Sequence, residues 1–477
     1  MRSSSAFDVT LDGLRIRYPD RDRPALDGVT ETIAAGETVV ITGPSGCGKS
    51  TLCRAIGGFV PELISADVEG EILVGEDSVW TTDSARIAQR VGYVQQDADA
   101  QICTLRVERE VAFGPENLCL PRGEIDRRVD ASLSAVGIEH LRNRETTDLS
   151  GGEKQRLAIA SILAMQPQVL LLDEPTANLD PEGARSLFEL LRRLRTERGT
   201  TLVIVEHRLC PVLGLEPRFL VLDRGRLVER HAGEHIAPRA LGTTPRKGER
   251  TLRSERLLSV ERLSFAYEAP LLSDLTFEVR RGEIVGVIGP NGGGKTTLLR
   301  LIAGLVEPDG GKIERECGAL GFAFQHPHHQ IFERTVRGEL LIDGSERDSG
   351  EIEASLEEGR LGGLGGVPPL SLSLGEQRRL TLVAALRRRP DLLLLDEPFI
   401  GQDWRNVAWI VSRLRAHCDA GGAAIVVTHD IPLLRALADR LLFVDYEPIL
   451  GSPSDVFDRL RAAGRDAFHP EAWGAVG

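Results

Sequence analysis

The sequence carries one nine-residue loop twice: Gly43 to Thr51 reads GPSGCGKST, and Gly289 to Thr297, 246 positions later, reads GPNGGGKTT. Each copy follows a largely apolar run, Thr38 to Thr42 or Ile284 to Ile288, that reads as a buried strand. Each also precedes apolar residues at helical spacing: Leu52, Ala55 and Ile56, or Leu298, Leu301 and Ile302. Strand, glycine turn and helix in that order bring backbone N–H groups around a phosphate at a helix N-terminus. A chain holding two such units is a tandem α/β protein, and each half needs a sheet to support its loop.

Later motifs repeat in the same order. Asp173-Glu174-Pro175, after all-apolar Val169 to Leu172, returns 223 positions on as Asp396-Glu397-Pro398 after Leu392 to Leu395. His207, closing the strand Thr201 to Val205, returns 222 positions on as His429. The second copy is therefore shorter in its middle. All-apolar runs of this kind belong to strands buried on both faces of a mostly parallel sheet. Helix-forming stretches at Glu124 to Val136 and Glu153 to Met165 predict an inserted helical subdomain. The expected organisation is a first domain at 6–230, a linker at 231–256, a second domain at 257–450 and a tail at 451–477. The linker mixes Pro, Gly and basic residues without periodicity, and the tail holds a short helix near Asp455 to Ala463.

In the first loop Gly43, Ser45, Gly46, Cys47, Gly48, Lys49, Ser50 and Thr51 are candidate phosphate-binding residues; in the second they are Gly289, Asn291, Gly292, Gly293, Gly294, Lys295, Thr296 and Thr297. Lysine reaches the terminal phosphates, and the Ser50 or Thr296 hydroxyl takes Mg²⁺. Cys47 stands where the second loop has Gly293 and packs as a small residue. Adjacent carboxylates at the end of a buried strand are costly unless a cation or a reacting water uses them. Asp173 and Asp396 fit the Mg²⁺ role, and Glu174 and Glu397 fit a general base on water. His207 and His429 close strands whose C-terminal ends collect ligands in an open α/β sheet.

Composition narrows the class. Seventy-one acidic residues against 58 basic ones, a net charge of −13, oppose sequence-independent attraction to nucleic acid. Seven cysteines without a C-x-x-C pair fit reduced thiols better than a disulfide frame or zinc ribbon. No apolar stretch reaches the roughly 18 residues of a membrane span, and Asp8 and Asp12 interrupt the place of a signal peptide, so a cytoplasmic protein is expected.

The ordered set of glycine loop, Leu149-Ser150-Gly151-Gly152-Glu153, Asp173-Glu174-Pro175, Asn178-Leu179-Asp180 and His207 resembles an ATP-binding cassette (ABC) nucleotide-binding domain. The resemblance covers about Phe7 to Glu229 and again Leu258 to Leu450. It implies two P-loop domains, each a mostly parallel sheet with an antiparallel β region and a helical subdomain, that hydrolyse MgATP. It also implies an intramolecular dimer with two sites. One would join Lys49, Ser50, Asp173, Glu174 and His207 to the second signature, Ser373, Leu374 and Gly375. The other would join Lys295, Thr296, Asp396, Glu397 and His429 to Ser150, Gly151 and Gly152. Tyr18 and Tyr267 match the aromatic that stacks on adenine, and Asp180 and Asp403 match the acid after the catalytic strand. Leu374 replaces a signature glycine and Gly401-Gln402 replaces Asn178-Leu179, so two competent but unequal sites are expected.

The family's glutamine loop is represented by Gln96 and Gln325, because Gln325 to Gln330 repeats the interval from Gln96 to Gln101. They would sense metal and γ-phosphate. Val91 to Gln101, Val107 to Leu118 and Phe322 to Phe332 are similar to the ATPases of energy-coupling factor importers. That likeness implies contact near Gln101 and Gln330 with a transmembrane coupling subunit, and beyond it a substrate-capture membrane subunit. The protein would then sit peripherally on the cytoplasmic face of the cell membrane, with a vitamin or transition-metal ion as cargo. His326, His328 and His329 fall on the same expected surface. Competing readings are a soluble tandem ABC ATPase acting on ribosomes and the fused ATPase of another importer.

Overall fold

The computed structural model describes residues 7–19, 21, 23–177, 179–206, 210–228, 255–341 and 349–473. The chain divides into two compact units, Met1–Ala237 and Pro238–Gly477. The expected linker, 231–256, lies outside the described residues except for its last two.

Both units are built on the same six-stranded sheet. In the first, the order is Arg226–Val228, Arg218–Asp223, Thr38–Thr42, Thr201–Val205, Val169–Asp173, Val91–Val94. In the second, Ile449–Gly451, Arg440–Phe443, Ile284–Ile288, Ala423–Val427, Leu392–Asp396 and Leu320–Ala323 occupy the same places. All neighbours run parallel except the first-named edge strand of each sheet. The central strands are buried at every residue, which is why they read as largely apolar runs. The loop strand lies between the carboxylate side of the sheet and the edge, so loop and carboxylates open at the same end of the strands.

A separate antiparallel sheet accompanies each core: Leu26–Ile33, Val9–Arg17, Asp67–Val74 and Asp77–Ser78 in the first unit, and Pro270–Arg280, Arg256–Ala266 and Gly310–Arg315 in the second. The helical subdomain is present in both. Val107–Asn117, Arg122–Val136 and Gly151–Leu163 enclose their own apolar core in the first unit. Ser349–Glu358 and Leu374–Arg387 do so in the second. Gly137, in the left-handed region, ends Arg122–Val136.

Residues beyond 451 are part of the second unit. Ser452 caps the helix Pro453–Ala462, which buries Val456, Phe457 and Leu460 against Ile288, Ile431, Leu434 and Phe443. Phe468 follows into the same core, fully buried and edge-on to the Phe443 ring at 5.3 Å. Among the described residues no helix is long and apolar enough to cross a membrane.

Candidate functional site

Each glycine loop wraps back over its own sheet. At Gly43, φ is 149° and an added Cβ would lie 2.0 Å from the Leu222 carbonyl oxygen; at Gly289, φ is 153° and the distance to the Val444 oxygen is 2.2 Å. No side chain fits there. Lys49 Nζ donates to the carbonyls of Gly43 and Pro44, both at 3.0 Å, and Lys295 Nζ to those of Gly289 at 2.9 Å and Pro290 at 2.7 Å. Both ammonium groups are thereby held over the loop, although each lysine is mostly buried. Ser45, Gly46 and Gly292 are exposed or half-exposed on the rim, Asn291 beside them, while Thr51 and Thr297 pack beneath. Cys47 is buried and its thiol is pushed up, chiefly by burial, so it stays protonated and slow to react.

The loop hydroxyls meet the first carboxylates. Thr296 Oγ1 donates to Asp396 Oδ2 at 2.7 Å, and Ser50 bonds Asp173. Tyr93 adds its hydroxyl to Asp173 Oδ2 at 3.2 Å. Burial is the main cause raising both Asp173 and Asp396, with the neighbouring hydroxyls opposing it. Asp173 Oδ1 is buried with no hydrogen-bond partner among the described residues. A hydroxyl and a carboxylate whose second oxygen is unspent form a hard-oxygen donor set that suits Mg²⁺. Ser50 with Asp173, and Thr296 with Asp396, would hold it, and the ion would neutralise phosphate charge.

Glu174 and Glu397 share an unusual backbone. Their φ values are 48° and 51°, left-handed for a residue with a side chain, and each N–H bonds across to the neighbouring strand, at Val205 or Val427, at 2.9 Å. Each carboxylate is met there by a polar neighbour from another segment. In the first unit Gln96 Nε2 donates to Glu174 Oε2 at 3.0 Å. In the second, His429 Nε2 lies 3.3 Å from Glu397 Oε1, and its backbone N–H faces Oε2 at 3.4 Å. The base thus meets the glutamine in the first unit and the histidine in the second. His207 and Asn178 lie outside the described residues. Gln325 is half-buried at the end of Leu320–Ala323.

The remaining candidates occupy helix starts. Ser150 and Ser373 each form a capping box, with Glu153 and Glu376, at the head of Gly151–Leu163 and Leu374–Arg387. Gly151 is exposed, Gly152 and Gly375 are buried, and Leu374 is half-buried. Asp180 and Asp403 cap the helices that follow the carboxylate strands, accepting from Gly183 and Asn406. Tyr18 donates to Thr51 Oγ1 at 3.2 Å, whereas Tyr267 is exposed and stands edge-on to Phe265.

Gln101 and Gln330 turn inward. Their Oε1 atoms accept from the backbone N–H of Gln95 at 3.0 Å and Phe324 at 2.7 Å, six residues back in each copy. Just beyond, the buried Glu110 and Glu339 carboxylates each accept two backbone N–H groups, of Cys103 and Thr104 or of Phe332 and Glu333. Sequence reasoning passed over these glutamates; their common offset of 229 with the Gln101 and Gln330 pair was the available signal.

The ABC transporter family model matches residues 26–177 and again residues 272–400. The chain belongs to the ABC transporter family. It is 32% identical to a Bacillus subtilis protein provisionally named HMP/thiamine import ATP-binding protein YkoD, over 95% of this chain and 93% of that one. It is 33% identical to an ABC transporter ATP-binding protein of Saccharolobus solfataricus, also provisionally named, over 94% of both chains. The fold is shared with the archaeal ribosome recycling factor aABCE1, at a TM-score of 0.69 and 24% identity, over 94% of this chain and 92% of that one. As an ABC protein the chain is an ATP-binding ATPase with two nucleotide-binding domains.

The crowding of the two glycine loops makes their expected part in ATP binding testable. Gly43→Ala and Gly289→Ala should each weaken ATP binding at least about tenfold in its own half, since relieving a carbonyl collision through a strained backbone costs about 1–3 kcal/mol. Titration with a fluorescent ATP analogue reads this directly; unchanged affinity in both variants would contradict the geometry.

Proposed function

We propose that the chain is the fused ATPase pair of an energy-coupling-factor-type importer for a vitamin or transition-metal ion, docked on the cytoplasmic face of the membrane. Lys49, Ser50, Asp173 and Gln96 hold MgATP in one site, with Glu174 as base and His207 beside it. Lys295, Thr296, Asp396, Gln325, Glu397 and His429 act likewise in the other. The signature residues Ser150, Gly151 and Gly152, and Ser373 and Gly375, also bind nucleotide, with Asp180 and Asp403 framing the sites and Tyr18 and Tyr267 on adenine.

The observation that carries the importer reading is the duplicated loop after the glutamine-loop strand. Gln101 and Gln330 tie down a short helix, Ala98–Gln101, in one copy and a 3-10 turn, Pro327–His329, in the other. Large apolar side chains stay in solvent next to both: Leu105 is 75% exposed and Phe332 74%. Exposed apolar residues on a pinned scaffold suit a protein partner. The glutamines shape that surface, and the transmembrane coupling subunit would contact the residues they present. The name of the Bacillus subtilis relative agrees with import.

The test is to solubilise host membranes in mild detergent, capture the tagged chain and identify its companions by mass spectrometry. Two multi-spanning membrane proteins are the expected result. Ribosomal proteins from the soluble fraction, with no membrane protein, would overturn the importer reading and leave the ATPase intact.

A further inference from the structure

Comparison of the two halves isolates a pair of residues peculiar to the second. Where the first domain has Gln155 and Leu179, the second has Arg378 and Gln402. In the first domain Leu179 is simply buried, and the Gln155 amide is buried with no partner among the described residues. In the second domain both positions are wired. Arg378, 7% exposed, donates to the carbonyl of Ile400 and, at 3.4 Å, to that of Gln325. Gln402, 2% exposed, donates to the Gly375 carbonyl at 2.8 Å and accepts from Arg379 at 3.1 Å. Arg379 also reaches the carbonyls of Gly359 and Gly375. Gly375 is pressed so closely on this loop that a Cβ would lie 2.7 Å from the Gly401 oxygen.

We propose that Arg378 and Gln402 are positioning residues that fasten the glutamine loop, the signature turn and the loop after the carboxylate strand of the second domain into one rigid piece. Three segments from different parts of the chain converge on one buried network. A planar guanidinium spans two carbonyls that a lysine would reach one at a time. A buried amide bonded at both ends fixes the distance between its neighbours, and an unpaired one would be costly. The replacement of Asn178-Leu179 by Gly401-Gln402 is thus a change of fastening and not decay of the motif. The first domain's counterpart link is different: an ion pair of Lys154 with the exposed Asp99.

The inference rests on the assignment of Gln325 and Gly375 to the nucleotide sites, so one readout is chosen that does not. In the full chain, Arg378→Gln and Gln402→Leu install the first domain's residues. Amide hydrogen exchange read by mass spectrometry should quicken at least about tenfold over residues 374–377 and 399–402, with 151–154 and 176–177 unchanged. The kcat for ATP should fall about three- to tenfold with KM within about twofold, and Arg378→Lys should recover less than half of the loss. The double variant should lose no more than the worse single one, because both residues serve one network. Exchange unchanged at 374–377 and 399–402 would overturn the network. Faster exchange with kcat unchanged would overturn the positioning role, leaving the nucleotide assignment and the importer reading untouched.

Discussion

Glu174→Gln and Glu397→Gln, made separately, should slow steady-state ATP turnover by unequal factors, and together should abolish it while leaving ATP binding in place. Removing a general base costs about 10²- to 10⁴-fold in the step it serves. The amide keeps the size of the side chain and loses only the basicity, so affinity is preserved. The inequality has structural grounds. Glu174 is held by the amide of Gln96, and Glu397 by the ring Nε2 and the backbone N–H of His429. The two signatures differ as well, Leu374 standing where the first has Gly151. Steady-state phosphate release on the two single variants decides the matter: equal reductions would remove the case for two unlike sites.

Phe468→Ala should be the most damaging change far from the nucleotide. A buried phenylalanine cut to alanine costs about 3–5 kcal/mol, and this ring fills the space between the last helix and Phe443. Phe443 pairs in the sheet with Ile288, the residue before Gly289, so the loss reaches the foot of the second glycine loop. Hydrogen exchange in Arg440–Phe443 should rise by orders of magnitude, with Val91–Val94 of the first domain unaffected. Phe468→Leu should keep most of the stability. Unaltered exchange in both strands would show that the C-terminal segment is dispensable to the core.

What could be read beforehand was whatever has a local cause. The strands Thr38–Thr42 and Ile284–Ile288 stand where the largely apolar runs place them, because a strand buried on both faces is built mainly of apolar residues. The Ser50 and Thr296 hydroxyls meet Asp173 and Asp396 because strand order fixes one end of the sheet as the open end. The tail helix was legible near Asp455 to Ala463, but not its burial: Val456, Phe457 and Leu460 give a face without saying what covers it. Gln402 looked like a departure from a pattern and Arg378 drew no notice, since a polar residue's partner 20 to 50 positions away leaves no periodic trace. The inward turn of Gln101 and Gln330 was hidden too, although their partners lie only six residues back, because a backbone N–H is a partner that no residue type marks. Nothing in the letters marks a glutamate as left-handed, a conformation usually signalled by glycine.

That last feature governs how this protein can change. At Glu174 and Glu397 the chain holds a branched-off Cβ in a backbone region that costs an ordinary residue about 1–2 kcal/mol and costs glycine nothing. Eight other described residues with side chains also occupy that region, but at these two the proposed chemistry requires a side chain. A lineage rewarded only for surviving heat would drift toward glycine or asparagine there, and would end with a durable protein that grips ATP and never spends it.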